Sequence, residues 1–327
     1  MKLCPHCQHP YGDDRTHCPR DGTELRAVAD PLVNRVLPGG YRLTERVAAG
    51  GMSSVYRASR EGVDRPLAVK VLRRALAGDA VQRDRFLREA GAVDRIDHPN
   101  VVRVEDFGET EDGLVFLVME YVEGTPLLSI MGRGRLPIDQ GLHIAAQVAG
   151  ALGTAHRHGV IHRDLKPENI LLTCRDGDPR FVKVLDFGIA KILDAPSLTG
   201  SQQIFGTPGY IAPEYIQSNA IDGRADVYSL GVILYELITG ALPFDYEYPA
   251  DLLAKHVTEE PIPPRVRDPA VPPEIDALLL RCLCKDPNER FDDCEQFLRE
   301  LDRARHAAGI ELDDRPPAPR DPLPTPD

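Results

Sequence analysis

The chain has 327 residues, of which 42% are hydrophobic and 28% are charged, so it can bury a substantial core. Its formal net charge of −12 argues against a nucleic-acid binder that works by bulk electrostatic attraction. The sequence has no apolar run near the ~18 residues of a membrane-spanning helix and no signal-peptide-like start, so we expect a cytoplasmic location.

The first part of the sequence is predicted to be mostly β-strand. Residues 1–25 form a short unit rich in Cys, His, Pro and Gly, and residues 26–40 are predicted as a linker. From Tyr41 apolar and polar residues alternate between turn residues, which indicates antiparallel strands. The predicted strands are YRLTERV, SSVYRAS, PLAVKVL, VVRVEDFGE and LVFLVMEYV. Helical spacing of apolar residues over 81–95 predicts an intervening helix, which carries Glu89.

Beyond Gly124 the pattern becomes helical. The segments 138–158, 227–240 and 274–284 are predicted as buried helices. The last segment, 304–327, is rich in Pro and Asp, and such a composition cannot bury a core, so we expect a disordered tail. The sequence therefore predicts a small β-rich lobe, a larger and mainly helical lobe, and two short appendages.

Four short motifs occur in a fixed order along the chain. They are Ala68-Val69-Lys70 in a predicted strand, His162-Arg163-Asp164-Leu165-Lys166-Pro167-Glu168-Asn169, Asp186-Phe187-Gly188, and Ala212-Pro213-Glu214. Any one of them occurs by chance in unrelated proteins. Their shared order, in the predicted strand and loop contexts, leaves little room for coincidence.

On these motifs the chain resembles the Hanks-type (eukaryotic-like) Ser/Thr protein kinases of bacteria over roughly residues 41–303. The resemblance implies an α+β, two-lobed protein kinase fold, with a β-rich N-lobe and a mainly helical C-lobe. It also implies ATP-dependent transfer of a phosphoryl group to serine or threonine hydroxyls of protein substrates.

The resemblance assigns roles to the charged residues of the motifs. Asp164 is expected to accept the proton of the acceptor hydroxyl, and Lys166 to steady the transferred phosphate. Lys70 is expected to contact the α- and β-phosphates of ATP, with Glu89 as its partner. Phosphoryl transfer depends on charge neutralisation and positioning, which hard oxygen ligands around a metal ion supply. The expected ligands of Mg²⁺, or of Mn²⁺ in its place, are Asn169 and Asp186.

The predicted nucleotide-binding residues include a glycine-rich loop that departs from the family pattern. Ala48 and Ser53 stand where the pattern G-x-G-x-x-G-x-V has its first and third glycines. Because glycine lets the backbone approach phosphates closely, we expect reduced ATP affinity rather than its loss. The full predicted set is Val47, Ala48, Gly50, Gly51, Ser53, Val55, Ala68, Lys70, Met119, Glu120, Val122 and Leu171.

The altered loop also supports an alternative function, a pseudokinase that acts as a scaffold or nucleotide sensor. The intact charged residues oppose it, because pseudokinases usually lack at least one of them. A small-molecule kinase is a third alternative, which the Ala-Pro-Glu motif and Gly206-Thr207 oppose.

The resemblance also bears on regulation and on structural support. Arg163, directly before Asp164, is typical of kinases whose activation loop is ordered by phosphorylation, and a phosphate can pair with such an arginine. Thr199 and Ser201 are the candidate phosphorylation sites, with ordinary loop hydroxyls as the alternative. The residues that resemble structural supports are Glu214 and Arg290, as a salt bridge, and Asp226, beneath the catalytic loop.

The N-terminal cysteines form two similar halves, Cys4-Pro5-His6-Cys7 and Cys18-Pro19-Arg20-Asp21. This arrangement resembles a small zinc ribbon, and thiolates at C-x₂-C spacing suit tetrahedral Zn²⁺. The expected role is docking to a partner or self-association. The predicted zinc ligands are Cys4, Cys7, Cys18 and Asp21, with His6, His9 or His17 as alternative fourth ligands, and an empty, degenerate site as the remaining possibility.

Overall fold

The computed structural model of the chain describes residues 2–7, 10–11, 15–27, 30–49, 53–72, 90–187, 208–217 and 221–311. These residues divide into two compact units. The N-terminal unit comprises the described residues within Met1–Ala90 and Val104–Tyr121. The C-terminal unit comprises those within Gly91–Arg103 and Val122–Asp327.

The described N-terminal unit consists of antiparallel sheets. A three-stranded sheet has the order β2-β1-β3, and a six-stranded sheet has the order β4-β5-β6-β7-β9-β8. The strands predicted from Tyr41 onward are confirmed. The strands are β1 (Lys2–Leu3), β2 (Pro10–Tyr11), β3 (Arg26–Ala27), β4 (Val36–Leu37), β5 (Tyr41–Ala49), β6 (Ser53–Arg60), β7 (Val63–Leu72), β8 (Val104–Glu109) and β9 (Val115–Glu120).

The six-stranded sheet packs one face into a core, as its alternating sequence requires. Tyr41 and Leu43 of β5 are buried, while Arg42 and Thr44, which alternate with them, are exposed. Tyr56 of β6 and Phe116 of β9 join the same hydrophobic cluster. This two-residue period places every second side chain of a strand on the opposite face of the sheet.

The segment 26–40, which was predicted as a linker, contains two short strands in the structure. Its first residues lie in β3, which pairs with β1, and its later residues form β4, which pairs with β5. Leu37 is buried in the core of the larger sheet, and Leu32 and Val33 pack against that core. The strand β4 forms because the edge of β5 offers both hydrogen-bonding groups and an apolar surface, and Leu32 and Val33 pack from the turn that precedes it.

The C-terminal unit combines a small sheet, of order β10-β11-β12, with helices. Its strands are β10 (Thr125–Pro126), β11 (Ile170–Arg175) and β12 (Asp178–Val184). Its helices are α1 (Leu127–Met131), α2 (Ile138–Arg157), α3 (Pro213–Gln217), α4 (Arg224–Thr239), α5 (Pro249–Thr258), α6 (Pro264–Arg267), α7 (Pro273–Cys282) and α8 (Cys294–Ala307), with 3₁₀ turns at Pro167–Asn169, Pro208–Tyr210 and Pro287–Glu289.

The three predicted buried helices are confirmed as α2, α4 and α7. Helix α4 is buried on nearly all sides, which explains the continuous apolar run of its sequence. It ends at Gly240, whose φ of 78° is the left-handed conformation that terminates many helices. Close packing of α4 on α7 depends on Gly231, because a Cβ added there would lie 2.4 Å from the Cβ of Cys282.

The last helix runs further than the predicted boundary of the tail. Helix α8 continues to Ala307, although the tail was predicted from residue 304. Its amphipathic sequence buries Cys294, Phe297 and Leu301, so the helical pattern extends past that boundary. Residues 312–327 of the predicted tail lie outside the described residues. Among the helices that are described, none combines the length and the apolar character needed to cross a bilayer.

A buried ion pair in the C-terminal unit matches the predicted structural salt bridge. Both terminal nitrogens of Arg290 donate to the carboxylate of Glu214, each at 2.8 Å. Arg290 is 1% exposed and also donates to the backbone carbonyls of Cys284 and Lys285. A further bond to the Arg224 carbonyl gives every donor of the guanidinium an acceptor, which is what a buried ion pair requires.

Candidate active site

The candidate catalytic loop, residues 162–169, connects α2 to β11 in the C-terminal unit. His162 is fully buried, and its Nε2–H donates to the carbonyl of Leu185 at 2.8 Å. Its Nδ1 accepts the backbone N–H of Asp164 at 3.3 Å, and its ring lies 4.8 Å from the ring of Phe187. One buried imidazole therefore fixes the catalytic loop against the segment that carries Asp186.

Asp226, in the first turn of α4, holds the backbone of the same loop. Its two carboxylate oxygens accept the N–H groups of His162, at 2.8 Å, and of Arg163, at 3.0 Å. His156 lies 2.8 Å from the same carboxylate. Burial by itself would raise the pKa of Asp226, but the hydrogen bonds from the His156 side chain and the His162 backbone lower it below its ordinary value. The buried carboxylate therefore stays ionised and shapes the loop, as predicted.

The loop contains a residue in an unfavourable backbone conformation. Arg163 has a φ of 65°, in the left-handed region that non-glycine residues seldom adopt. The hydrogen bond from its N–H to Asp226 stabilises this conformation. Asp186 has a similar φ of 56°. Left-handed residues of this kind are frequent at active sites, where the surrounding structure compensates their strain.

The carboxylate of Asp164 is held by two neighbours in the loop. Lys166 Nζ donates to its Oδ2 at 2.8 Å. The side-chain amide of Asn169 donates to the Asp164 carbonyl at 2.8 Å and approaches Oδ2 at 3.4 Å. The Asp164 side chain is 26% exposed, so the oriented carboxylate is reachable by a second molecule.

The two predicted magnesium ligands lie at the ends of paired strands. Asn169 comes directly before β11 and Asp186 follows β12, and the N–H of Leu185 donates to the carbonyl of Asn169 at 2.8 Å. Because the amide nitrogen of Asn169 is bonded to Asp164, its amide oxygen is the atom that can serve as a ligand. An amide oxygen and a carboxylate form the kind of donor set that Mg²⁺ prefers.

In the N-terminal unit, strand register places several predicted nucleotide-binding residues on one face of the sheet. Lys70 of β7 lies opposite Val55 of β6, and Val55 lies opposite Ala48 of β5. Ala68 lies two residues before Lys70 and opposite Met119 of β9. Directly paired residues, and residues two apart on one strand, share a face. The sheet therefore aligns a buried lysine with small and apolar side chains, which is the composition of an adenine-binding surface.

The remaining predicted nucleotide residues are placed within their own units, or lie outside the description. Val47 and Ser53 lie on β5 and β6, and Glu120 ends β9. In the C-terminal unit, Leu171 lies on β11 opposite Lys183, and Val122 is half-buried ahead of β10. The predicted residues that lie outside the described part of the chain are Gly50, Gly51, Glu89, Gly188, Thr199, Ser201, Gly206 and Thr207.

The predicted zinc ligands come together in the N-terminal unit. One ligand atom from each of Cys4, Cys7, Cys18 and Asp21 lies within 4.8 Å of all the others. The sulfurs of Cys7 and Cys18 are 3.7 Å apart, and Cys4 Sγ lies 3.4 Å from a carboxylate oxygen of Asp21. Burial raises the pKa of the Cys4 thiol, whereas hydrogen bonds from Thr23 lower the pKa of Asp21. The group could hold a metal ion.

Of the histidines proposed as alternative ligands, His6 and His17 lie in the described part of the chain, and neither belongs to the group of four ligand atoms. His6 Nδ1 contacts the Asp21 carboxylate at 3.1 Å, and His17 Nδ1 contacts the hydroxyl of Thr16 at 3.1 Å. His9 lies outside the described residues. The described geometry therefore favours Asp21 as the fourth ligand, with His6 as its hydrogen-bond partner.

Sequence reasoning missed two residues that contact these sites. His156, at the end of α2, supports Asp226, and Tyr11 lies beside the cysteines with its hydroxyl 3.2 Å from Cys18 Sγ. A histidine in the last turn of a helix suggests a favourable interaction with the helix dipole and nothing more specific. A tyrosine in a short, irregular segment gives no periodic signal.

Comparison with known proteins gives a consistent result. A family model described as the protein kinase domain matches residues 41–300. The serine/threonine-protein kinase Pkn3 of Myxococcus xanthus is 45% identical over 280 residues, which cover 83% of this chain and 51% of Pkn3. PknB of Mycobacterium leprae is 40% identical over 268 residues, which cover 80% of this chain and 42% of PknB. The chain thus spans about half the length, or less, of these curated relatives.

Solved structures resemble the described fold. The kinase domain of PknI from Mycobacterium tuberculosis is 31% identical to this chain and superimposes with a TM-score of 0.67. The match covers 87% of this chain and 100% of that domain. The family model begins at residue 41, so it does not include the N-terminal cysteines Cys4, Cys7 and Cys18.

Proposed function

The chain belongs to the protein kinase family, and from this premise we propose that it transfers the γ-phosphoryl group of ATP to serine or threonine hydroxyls of protein substrates. The observation that supports this activity best is the catalytic loop. Within it, Lys166 and Asn169 orient a partly exposed Asp164 carboxylate, and the buried Asp226 holds the loop backbone.

The proposed mechanism distributes its tasks among residues of the C-terminal unit. ATP would supply the phosphoryl group, and the Mg²⁺ bound with it would neutralise much of the phosphate charge. Asp164 orients the acceptor hydroxyl and takes its proton, which is the work of a general base. Lys166 places a positive charge beside the group in transfer and stabilises its developing negative charge. Asn169 and Asp186 would hold the metal ion through oxygen atoms.

The N-terminal unit is proposed to hold the nucleotide. The face that carries Lys70 also carries Val55, Ala68 and Met119, which gives a cation for phosphates and an apolar surface for a base. Lys70 is 6% exposed, and a buried ammonium is stable only with compensating charge, such as its predicted partner Glu89.

The activity can be tested with the full-length chain, radiolabelled ATP, Mg²⁺ and myelin basic protein as a generic acceptor. We expect labelled phosphoserine and phosphothreonine, and a ~10²–10⁴-fold loss of rate in Asp164→Asn. Asp176→Asn is a matched control, because the Asp176 side chain is 89% exposed in the turn between β11 and β12. Equal rates in the wild type and Asp164→Asn would overturn the assignment of Asp164.

The same experiment separates the alternative function. A pseudokinase would bind nucleotide, detected as a rise in melting temperature with ATP and Mg²⁺, without labelling any acceptor.

We also propose that the enzyme is activated by phosphorylation of Thr199 or Ser201 in its own activation loop. Mass spectrometry of wild-type protein incubated with ATP should find phosphate there, and Asp164→Asn protein should lack it. An active enzyme with an unmodified loop would contradict this step.

We further propose that Cys4, Cys7, Cys18 and Asp21 bind one Zn²⁺. With Zn–S distances of ~2.3 Å, two thiolates on a tetrahedral ion lie about 3.8 Å apart, and a thiolate and a carboxylate oxygen about 3.5 Å apart. The separations of 3.7 Å for Cys7 and Cys18, and of 3.4 Å for Cys4 and Asp21, agree with those edges. A disulfide would need a sulfur separation of ~2.05 Å.

Metal analysis of the full-length chain tests this site. Protein purified without added zinc should carry close to one equivalent, and Cys7→Ser should lose it. Cys174→Ser is a matched control, because Cys174 is an exposed thiol on β11 of the C-terminal unit. A wild-type protein with only trace metal after purification under reducing conditions would end the proposal. A filled structural site would fit a docking or self-association role, because all four positions come from the protein.

A further inference from the structure

The hydroxyl of Tyr11 lies against the sulfurs of the cysteine cluster. It is 3.2 Å from Cys18 Sγ and 4.0 Å from Cys7 Sγ. Its ring packs against the small core formed by Cys4, Cys18 and Leu25. A purely apolar contact would leave the hydroxyl facing solvent, so the position of the oxygen requires an electrostatic reason.

The charge of the proposed site supplies that reason. Three thiolates and one carboxylate carry four negative charges against the two positive charges of a divalent metal ion. The excess charge on partly buried sulfurs is unfavourable unless hydrogen-bond donors offset it. Cys4 Sγ accepts the N–H of Cys7 at 3.4 Å, and Cys7 is partly exposed to water. Cys18 is 2% exposed and cannot rely on water in the same way.

Metal binding also fixes the direction of the contact with Tyr11. Without metal, either the thiol of Cys18 or the hydroxyl of Tyr11 could donate the proton. A coordinated cysteine has released its proton to solvent, so only the tyrosine can then donate. A donor at this distance takes the place of water at a sulfur that water reaches poorly.

We infer that Tyr11 is a positioning residue of the metal site, whose hydroxyl donates a hydrogen bond to the Cys18 thiolate and so strengthens metal binding. This inference rests on the proposed zinc site. The backbone supports this role, because Tyr11 on β2 pairs with Lys2 of the antiparallel strand β1. Cys4 follows β1 directly, so the pairing holds Tyr11 near the cysteines. Partners that hydrogen-bond to metal ligands typically contribute a factor of ~10–100 in metal affinity.

The test is a Co²⁺ titration of the metal-free, reduced full-length chain, with a chelator of known affinity as competitor. Thiolate ligands give Co²⁺ a charge-transfer absorption, and tetrahedral geometry gives an intense visible band, so site integrity is read directly. Tyr11→Phe keeps the ring in the core and removes only the hydroxyl. Tyr246→Phe removes a hydroxyl from a tyrosine that is 48% exposed in the C-terminal unit, and it serves as the control.

We expect Tyr11→Phe to weaken Co²⁺ binding ~10-fold or more, to shift the charge-transfer band, and to recover the wild-type visible band at saturation. Tyr246→Phe should match the wild type. If Tyr11→Phe binds Co²⁺ within about twofold of the wild type, the tyrosine has no such role, although the metal site itself would stand. If the wild type shows no thiolate absorption with Co²⁺, the proposed metal site fails, and this inference fails with it. If Tyr11→Phe never recovers the wild-type visible band at saturation, the substitution has disrupted the tetrahedral site itself and has not merely removed one hydrogen bond. The inference would then be overturned.

Discussion

Replacing Asp30 by Ala is expected to destabilise the N-terminal unit, although Asp30 lies outside the region that the family model matches. Its carboxylate accepts the hydroxyl of Tyr56 at 3.0 Å and lies 3.5 Å from a guanidinium nitrogen of Arg46. It also accepts the N–H of Leu32 at 3.0 Å, which closes the turn before β4. One side chain thus ties the segment before β4 to strands β5 and β6.

The magnitude follows from burial. The side chains of Asp30 and Arg46 are only 10% and 13% exposed, so removing the carboxylate leaves a mostly buried cation and a buried hydroxyl without this partner. Breaking a buried pair in this way costs about 3–5 kcal/mol, and the 3.5 Å separation suggests the lower end. At ~2–4 °C per kcal/mol, the melting temperature should fall by about 6 °C or more.

The assay is thermal unfolding of the full-length chain followed by circular dichroism, because the sequence contains no Trp for fluorescence. Asp30→Ala, Tyr56→Phe and the double variant form a thermodynamic cycle. Burial and then the Asp30 carboxylate raise the pKa of Tyr56 to about 12, so its hydroxyl remains a donor throughout the usable pH range. Asp64→Ala, an exposed position on β7, is the control.

The cycle gives a clear criterion. A coupling energy of about 1 kcal/mol or more between Asp30 and Tyr56 would support the described contact. If the two single changes add to within ~0.5 kcal/mol, or if Asp30→Ala melts like Asp64→Ala, then the segment before β4 does not stabilise this unit and the reasoning is refuted.

Three further predictions concern the C-terminal unit and use the same melting assay. Burial, aided by the charge of the nearby Lys285, lowers the pKa of His256 from 6.5 to about 4, so only the unfolded chain takes up this proton between those pH values. The free energy of unfolding should therefore fall by up to about 3 kcal/mol as the pH drops through that window, and His256→Gln should flatten the fall. Arg290→Lys should lower stability by about 3 kcal/mol, since one ammonium cannot replace two parallel hydrogen bonds to the buried carboxylate, and an unchanged melting temperature would contradict this. Gly231→Ala should cost ~1–3 kcal/mol, because the new Cβ would lie 2.4 Å from the Cβ of Cys282, whereas Gly150→Ala, with its nearest contact at 3.5 Å, should cost much less.

Local patterns in the sequence were sufficient to predict most of the described strands and helices. The alternation from Tyr41 predicted β5 correctly because one face of the sheet is buried and the other meets water. The apolar run 227–240 predicted α4 because a helix buried on all sides has no polar stripe. The catalytic loop was recognisable because its functional residues are contiguous.

Contacts between distant residues were harder to predict. The bond between Asp30 and Tyr56 spans 26 residues and joins a turn to a strand, so neither residue carries a local signal of the other. The strand β4 was missed because it is two residues long and is stabilised by the edge of β5 rather than by its own propensity. The apolar residues Leu32, Val33 and Leu37 ahead of Pro38 were the available signal, since an exposed linker seldom has such a run.

The nucleotide face shows an intermediate case. Family resemblance named Val55, Ala68, Lys70 and Met119 separately, and only the register of β6, β7 and β9 reveals that they share a face. Register is set by pairing across strands, which a single sequence leaves open. The assignment of these residues to ATP remains a prediction.

The left-handed backbone at Arg163 has a consequence for how this protein can be improved. A side chain other than Gly or Asn at such a φ carries an energetic penalty of about 1–3 kcal/mol. Laboratory selection for heat resistance alone is thus expected to favour Gly or Asn at position 163, whereas the predicted pairing of Arg163 with a phosphate would favour the arginine when activity is also selected. The two kinds of selection should therefore yield different residues at position 163, next to the candidate catalytic aspartate.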